Sequence, residues 1–159
     1  MARRNRRLPG PELHVRAEFR APLDYVFAWC TDYTPQDARW EKERYQRRVL
    51  DRGPRRVVFE DLDEAGGGGW WWTHYTVDLR PPRRWSADAI GSHRSVHADY
   101  ELTALDPERT RLDLRWRRQP TGIESKRTSR RQVERSTARA WRNFAAALER
   151  DYRAGHRPA

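Results

Sequence analysis

The residue types that most often catalyse reactions are widely spaced in this sequence. The five histidines form no HExxH pair and have no paired cysteines or closely spaced carboxylates beside them, so they predict no metal site. No serine stands in a Gly-x-Ser-x-Gly elbow. We therefore predict no metal, no cofactor and no identifiable catalytic residue from these spacings. The histidines are His14, His74, His93, His97 and His156.

Two carboxylates are candidates for general acid–base chemistry. Asp32 follows a predicted helix, and Asp61 lies at the end of a predicted strand. Either group would have to point into a buried site to transfer a proton to or from a substrate. A helix cap or a surface charge is the simpler interpretation of both residues.

Arginine dominates the charge of the chain. Lys+Arg is 33 and Asp+Glu is 23, which gives a net charge of +10. One interpretation is a compositional bias towards arginine codons, and the other is a surface that binds phosphate. As an alternative function we consider nucleic-acid binding, with exposed Trp70 and Trp72 stacking on bases. The basic residues would be Arg3, Arg4, Arg6, Arg7, Arg117, Arg118, Lys126, Arg127, Arg130 and Arg131.

Strands and short helices make up the chain as far as residue 120. Glu12–Arg20 alternates apolar and polar residues, which predicts a half-buried strand. Leu23, Val26 and Phe27 have helical spacing, and a second short helix is predicted over Gln36–Trp40. A period of two then predicts six strands separated by short turns, which favours an antiparallel meander. These strands cover Tyr45–Asp51, Arg55–Leu62, Trp70–Arg80, Arg84–Ile90, Val96–Leu102 and Leu112–Trp116.

One long amphipathic helix is predicted from Ser125 to Tyr152. Its apolar stripe includes Val133, Thr137, Ala140, Phe144, Ala147 and Leu148. Arg130, Arg131, Glu134, Arg135, Arg142, Glu149 and Arg153 take the opposite face. Such a stripe must be buried against another element, and the only surface that the sequence offers is the sheet.

These elements predict an α+β fold of the helix-grip type. A curved, seven-stranded antiparallel sheet wraps around the C-terminal helix, and two short helices follow the first strand. Residues 11–153 form a single domain, residues 1–10 a basic flexible tail, and residues 154–159 a C-terminal tail. Eight Trp, six Tyr and four Phe argue for a packed core despite a mean hydropathy of −1.13.

Two stretches resemble a known superfamily. Phe19-Arg20-Ala21-Pro22 leads into Leu23-Asp24-Tyr25-Val26-Phe27-Ala28-Trp29, with Asp32 after it, and Asp106 to Leu112 reads Asp-Pro-Glu-Arg-Thr-Arg-Leu. With the element order, they resemble START/Bet v 1-like (SRPBCC, polyketide cyclase/dehydrase-like) helix-grip proteins over residues 13–152. The resemblance implies a cavity between sheet and long helix. It identifies no activity, because this superfamily includes lipid carriers, cyclases and binding proteins.

Strand and helix periodicity selects the residues that would line such a cavity. We predict a site for a small hydrophobic or aromatic ligand, unless the aromatic side chains fill the space. A cyclase- or dehydratase-like enzyme is a further alternative, which needs an inward-facing titratable group. The predicted ligand-binding residues are Phe27, Tyr75, Val77, Trp85, Tyr100, Leu102, Leu114, Trp116, Val133, Thr137, Trp141 and Phe144.

The remaining composition bears on cellular setting. Cys30 is the only cysteine, so no intramolecular disulfide can form, and a small buried side chain is the simplest interpretation of it. No signal-peptide pattern follows Met1, and no apolar run approaches the ~20 residues needed to span a bilayer. We predict a cytoplasmic protein without a membrane span. The sequence predicts no oligomeric state.

Overall fold

A computed structural model describes residues 8, 10–41, 44–65, 68–120 and 129–158. The predicted basic tail lies outside this part of the chain apart from Leu8 and Gly10, and so does the start of the predicted long helix, residues 125–128. The elements, in chain order, are β1 Leu13–Phe19, α1 Leu23–Cys30, α2 Asp37–Glu41, β2 Tyr45–Gly53, β3 Arg56–Ala65, β4 Gly69–Arg80, β5 Arg84–Gly91, β6 Arg94–Asp106, β7 Arg109–Pro120 and α3 Arg130–Arg153.

The seven strands form one antiparallel sheet in the order β1-β7-β6-β5-β4-β3-β2. Strands β2 to β7 follow one another as a meander, and β1 pairs with β7, so that Leu13 faces Trp116. β1 and β2 are therefore the two edges of the sheet. A bulge between Val49 and Asp51 interrupts the β2–β3 register. The predicted α+β helix-grip architecture is confirmed.

Both ends of α3 are capped by local sequence. The Ser129 side chain accepts from the Gln132 amide, and the Gln132 side chain accepts from the Ser129 amide, which completes a capping box. At the other end, Gly155 has φ +72° and the His156 amide donates to the Asp151 carbonyl. This is a Schellman ending, in which a left-handed residue favours glycine.

The faces of α3 differ from the prediction at two acidic residues. The sequence predicts Glu134 and Glu149 on the solvent face, but each carboxylate accepts a hydrogen bond from a backbone amide in β1 or directly after it. The His14 amide donates to Glu134 at 3.1 Å and the Arg20 amide to Glu149 at 3.0 Å. Both are partly buried, so α3 lies along the edge strand and satisfies donors that no neighbouring strand reaches.

The hydrophobic core seals one end of the space between sheet and helix. Phe19, Val26, Leu102 and Leu148 are all 2% exposed or less and pack together there. α1 contributes Val26 to this plug, which lies at the ends of β1 and β6 nearest the β6–β7 turn. At the other end of the strands, a second cluster with Leu13 and Trp116 fills the space at β1 and β7, and the space along β2 to β6 remains.

No helix in the described ranges is long and apolar enough to cross a membrane. The cytoplasmic location stays a prediction.

Candidate ligand-binding cavity

A cavity of about 780 Å³ lies between the sheet and the three helices. Its walls come from α1, α2, β2 to β6 and α3. Six of the predicted binding residues line it, and all six belong to the aromatic or apolar part of the wall. They are Tyr75, Val77, Trp85, Tyr100, Trp141 and Phe144.

The other six predicted residues are placed in the packed core or beside it. Phe27 and Leu102 are buried in the main cluster, and Phe27 packs edge-to-face on Trp85 at 5.7 Å between ring centroids. Leu114 and Trp116 belong to a second cluster, against which Val133 packs. Thr137 is partly buried on α3. α3 contacts the sheet at β1, and its side chains pack there against the second cluster.

Flat aromatic surfaces dominate the cavity wall. Phe59 and Tyr75 stack with centroids 4.6 Å apart and planes 14° apart. Trp85 and Tyr100 stack at 4.7 Å and 6°. Tyr33 extends the first pair, with its centroid 4.9 Å from that of Phe59. Phe59 and Trp85 are each only 2% exposed, so the partly exposed Tyr75 and Tyr100 supply the ring surface on which a planar ligand can stack.

A buried ionic cluster forms the β2–β3 part of the wall. The Arg47 guanidinium donates two hydrogen bonds to the Asp61 carboxylate, both of 2.8 Å, and also binds Asp37 of α2. The side chains of Arg47 and Asp61 are only 6% and 5% exposed. Arg47 also lies 4.3 Å over the centroid of Phe59. Asp61 is therefore not a surface charge: it lines the cavity, as an acid–base group would have to.

The loop between α1 and α2 carries a second carboxyl in an unusual environment. Burial, with the nearby Asp37 carboxylate, raises the pKa of Asp32 to about 7, although Arg52 and the Thr34 amide oppose the shift. Burial likewise raises the pKa of Asp37 in spite of Arg47. Tyr33 lines the cavity and has φ +46°, whereas the preceding residue, Asp32, does not line it. A bulky residue in that region is strained and persists only where packing holds it.

Cys30 also lies in the wall of the cavity. Burial raises the pKa of its thiol well above the ordinary value, so the thiolate is disfavoured. This agrees with a packing role for Cys30.

The strand register shows where the cavity opens. Several residues of the cavity wall lie at strand ends. These ends are the starts of β2, β4 and β6 and the ends of β3 and β5, and the residues are Arg44, Glu64, Trp71, His93 and Arg94. Antiparallel pairing brings these strand ends to the same side of the sheet, opposite the Phe19–Leu148 plug. We call this ring of residues the mouth.

The β5–β6 turn is held tightly at the mouth. The Ser92 amide donates to the Trp72 carbonyl at 2.9 Å, and the Ser92 hydroxyl accepts from the Trp72 amide at 2.9 Å. A Cβ on Gly91 would lie 2.8 Å from Thr73 Oγ1, so only glycine fits there. His93, the next residue, stacks on Trp71 with centroids 4.3 Å apart.

Sequence reasoning missed most of the polar wall. Asp61 follows Phe59 by two residues and so shares its face, a signal that strand alternation contained. Arg47 follows Tyr45 in the same way. Tyr33 and Asp37 come from the α1–α2 corner, where no periodicity exists to predict a direction.

Four of the ten basic residues considered for nucleic-acid binding fall within the described residues. Arg3, Arg4, Arg6, Arg7, Lys126 and Arg127 lie outside the described residues. Arg117 pairs with Glu12 at 3.6 Å and Arg130 with Glu134 at 3.2 Å. Arg118 and Arg131 are placed on β7 and α3, and Trp70 and Trp72 are 54% and 42% exposed. A nucleic-acid partner is therefore unsupported.

Over the residues that the structure describes, no group of three or more His, Cys, Asp or Glu is arranged to hold a metal ion.

Comparison of the sequence with protein-family models and with curated proteins finds no match. Solved structures do match. The Zhui aromatase/cyclase from Streptomyces sp. R1128 superposes with a TM-score of 0.74 at 18% identity, covering 91% of this chain and 97% of that one. A START superfamily protein from Mycobacterium smegmatis gives 0.59 at 14% identity, with 91% and 99% covered. Ara h 8.0201 gives 0.65 at 11%, with 87% and 97% covered.

These neighbours share the sheet order and the long C-terminal helix with the present chain, at identities that establish fold and not activity. The resemblance read from the Phe19–Trp29 and Asp106–Leu112 stretches is confirmed at that level. The chain has the helix-grip fold of the START/Bet v 1-like superfamily.

Proposed function

We propose that this protein binds a planar aromatic ligand of polyphenol size in the cavity between sheet and helices. The observation that carries the proposal is the volume of about 780 Å³, enclosed by the stacked pairs Phe59–Tyr75 and Trp85–Tyr100. Pockets for small organic molecules usually measure about 300–1,000 Å³ and combine apolar walls with a few polar groups. Here the aromatic side chains line the space and do not fill it.

The polar groups in the wall favour a ligand with hydroxyl or carbonyl substituents over a plain hydrocarbon chain. Arg47, Asp37 and Asp61 present charged edges within an aromatic surface. An apolar ligand would exclude water from these carboxylates without offering a hydrogen bond in return, which is unfavourable. A phenol can donate to them while its ring stacks on the aromatic wall.

Binding can be tested by blocking the cavity from one strand. Ala87 lines the cavity and its neighbour Ser86 points to the opposite face of β5. We expect flavonoids and hydroxylated anthraquinones to quench tryptophan fluorescence and raise the melting temperature of the wild type. Ala87→Phe should abolish both effects, and Ser86→Phe should preserve them. Equal ligand responses in the two folded variants would place binding elsewhere and overturn the proposal.

A second candidate is a cyclase-like enzyme that uses the same cavity. Asp37, Asp61 and His93 are titratable groups in its wall, so the requirement for an inward-facing acid or base is met. The structurally similar Zhui protein is an aromatase/cyclase. The test is to incubate the protein with a linear poly-β-ketone and analyse the products by mass spectrometry. Loss of water with ring formation, abolished by Asp61→Asn in a folded variant, would favour the enzyme; unchanged ketone would favour binding alone.

A further inference from the structure

We propose that Arg94 at the mouth binds a carboxylate carried by the aromatic ligand, with the stacked Trp71–His93 pair as the platform beside it. This inference rests on the proposed function, because it names the kind of substituent that the ligand in the cavity carries. It makes Arg94 a specificity-determining residue for acidic aromatic molecules.

Arg94 differs from the other arginines of the cavity wall in its ion pairs. Among the described residues three arginines line the cavity, and two of them pair with carboxylates. Arg47 is bound to Asp61 and Asp37, and Arg44 pairs with Glu64 at 3.5 Å. Arg94 makes no ion pair with any residue of the described ranges. Its guanidinium is therefore the cavity-lining cation whose donors are available to a ligand, and that group matches a carboxylate in a two-point contact.

The backbone around Arg94 is held in place by the β5–β6 turn and by the start of β6. Ser92 ties the turn to Trp72 through three hydrogen bonds, and Gly91 allows the close approach to β4. Arg94 then enters the β6–β7 ladder opposite Pro120. The backbone that carries Arg94 is thus fixed before a ligand arrives, and only the Arg94 side chain has to be ordered on binding.

Two stacked rings lie beside Arg94 in the cavity wall. Trp71 and His93 stack within 24° of parallel, and both line the cavity next to Arg94. A planar ligand that lies along the cavity wall would have its outer edge at the mouth. An acidic substituent at its outer edge would reach the guanidinium without burying a charge in the aromatic interior, which would be costly.

The acidic residues at the mouth set a limit on this preference. Asp63 lines the mouth and faces Trp71 across the β3–β4 ladder, and Glu64 is the partner of Arg44. Because acidic side chains lie beside it, the Arg94 guanidinium is the group on which a preference for an acid depends, and its removal should abolish that preference.

The test compares anthracene-2-carboxylate with 2-(hydroxymethyl)anthracene, two fluorescent molecules of the same shape. We expect the wild type to bind the acid about 3- to 10-fold more tightly than the alcohol at low salt, as a partly exposed ion pair allows. Arg94→Gln should bind the alcohol unchanged and bind the acid no more tightly than the alcohol. Arg94→Lys should keep part of the preference, and Arg80→Gln, an exposed arginine at the far end of β4, should keep all of it.

Three outcomes separate the two proposals. If neither anthracene binds at any salt concentration, the proposed function fails and this inference with it. If both bind equally to the wild type, or Arg94→Gln keeps the preference for the acid, the cavity binds aromatic ligands but Arg94 does not select them. If a matched anthracenylmethyl phosphate outcompetes the carboxylate in an Arg94-dependent way, Arg94 recognises phosphate and the assignment to a carboxylate is overturned.

Discussion

Arg47 holds two carboxylates in a wall that is otherwise mainly aromatic. Its Nε and Nη2 atoms bind Asp61, and its guanidinium packs on Phe59. The Asp61 carboxylate comes from β3 and Asp37 from α2, so one side chain joins three elements. Breaking a buried pair by removing one partner is strongly destabilising, because the remaining charge is left without compensation.

Arg47→Met should therefore lower the free energy of unfolding by about 3–5 kcal/mol near pH 8. Urea denaturation checks this value, with Arg48→Met as the control, since Arg48 is exposed on the other face of the same strand. The loss should shrink towards acid pH, because burial raises the pKa of the Asp37 carboxyl that remains. Similar losses for both variants would show that Arg47 contributes only as a side chain on β2.

Asp32 predicts a pH dependence with a definite sign. Its pKa is about 7 in the folded protein, against an ordinary value of 3.8, and burial is the main cause. The folded state therefore binds a proton more tightly between these two values, and this residue makes the protein less stable as the pH rises from about 4 to 7. Above pH 7 the full cost of the buried charge is present.

Asp32→Asn should consequently stabilise the protein at pH 8.5 and have little effect at pH 5, since an amide oxygen can still accept from Thr34. Urea midpoints at the two pH values measure the difference. Asp51→Asn, at an exposed carboxyl on β2, is the control and should change neither midpoint by much. Stabilisation of the same size at both pH values would contradict a raised pKa for Asp32.

At the scale of single elements, α3 has two functions along one face. Towards its C-terminal end Ala147 and Leu148 are buried in the core plug, and Phe144 and Trp141 line the cavity. Two glutamates at its side bind the amides of β1. The helix thus closes an edge of the sheet, fills one end of the grip and leaves the other end open.

Two substitutions on α3 should separate these functions. Leu148→Ala removes a side chain with no exposed surface and should cost about 3 kcal/mol or more. Phe144→Ala removes a ring that already faces the cavity, and should cost about 1–2 kcal/mol while enlarging the ligand space. Thermal and chemical unfolding measure both. If Phe144→Ala were the more damaging, the cavity would be packed more tightly than described.

The elements were predictable from sequence because their periodicities are local. Alternation in Leu13–Phe19 and helical spacing from Val133 to Leu148 depend only on neighbouring residues. Which inward-facing residue lines the cavity depends on the path of α3 over the sheet. Leu114 and Tyr75 both point inward from their strands, but the first is packed in the cluster beneath α3 and the second is partly exposed in the cavity wall. No local pattern distinguishes them.

The whole molecule is an open sheet closed by helices at one end, which implies that a ligand can enter without unfolding. Because binding in the cavity favours the folded state, a ligand at 100 times its Kd adds about 2.7 kcal/mol of stability. For a chain of 159 residues this corresponds to a rise in Tm of about 5–10 °C. Differential scanning fluorimetry with an anthraquinone series checks the rise, and Ala87→Phe should show none.

The bulge in β2 affects how copies of the molecule meet one another in concentrated solution. β2 is the edge strand that no helix carboxylate caps within the described residues, and Val49 and Leu50 are 37% and 41% exposed on it. A flat, apolar edge would recruit the same strand from a second copy and begin aggregation. The break at Val49–Asp51 and the exposed charges of Arg48 and Arg52 disfavour such continuous pairing. The exposed arginines of β2 should therefore limit self-association at this edge.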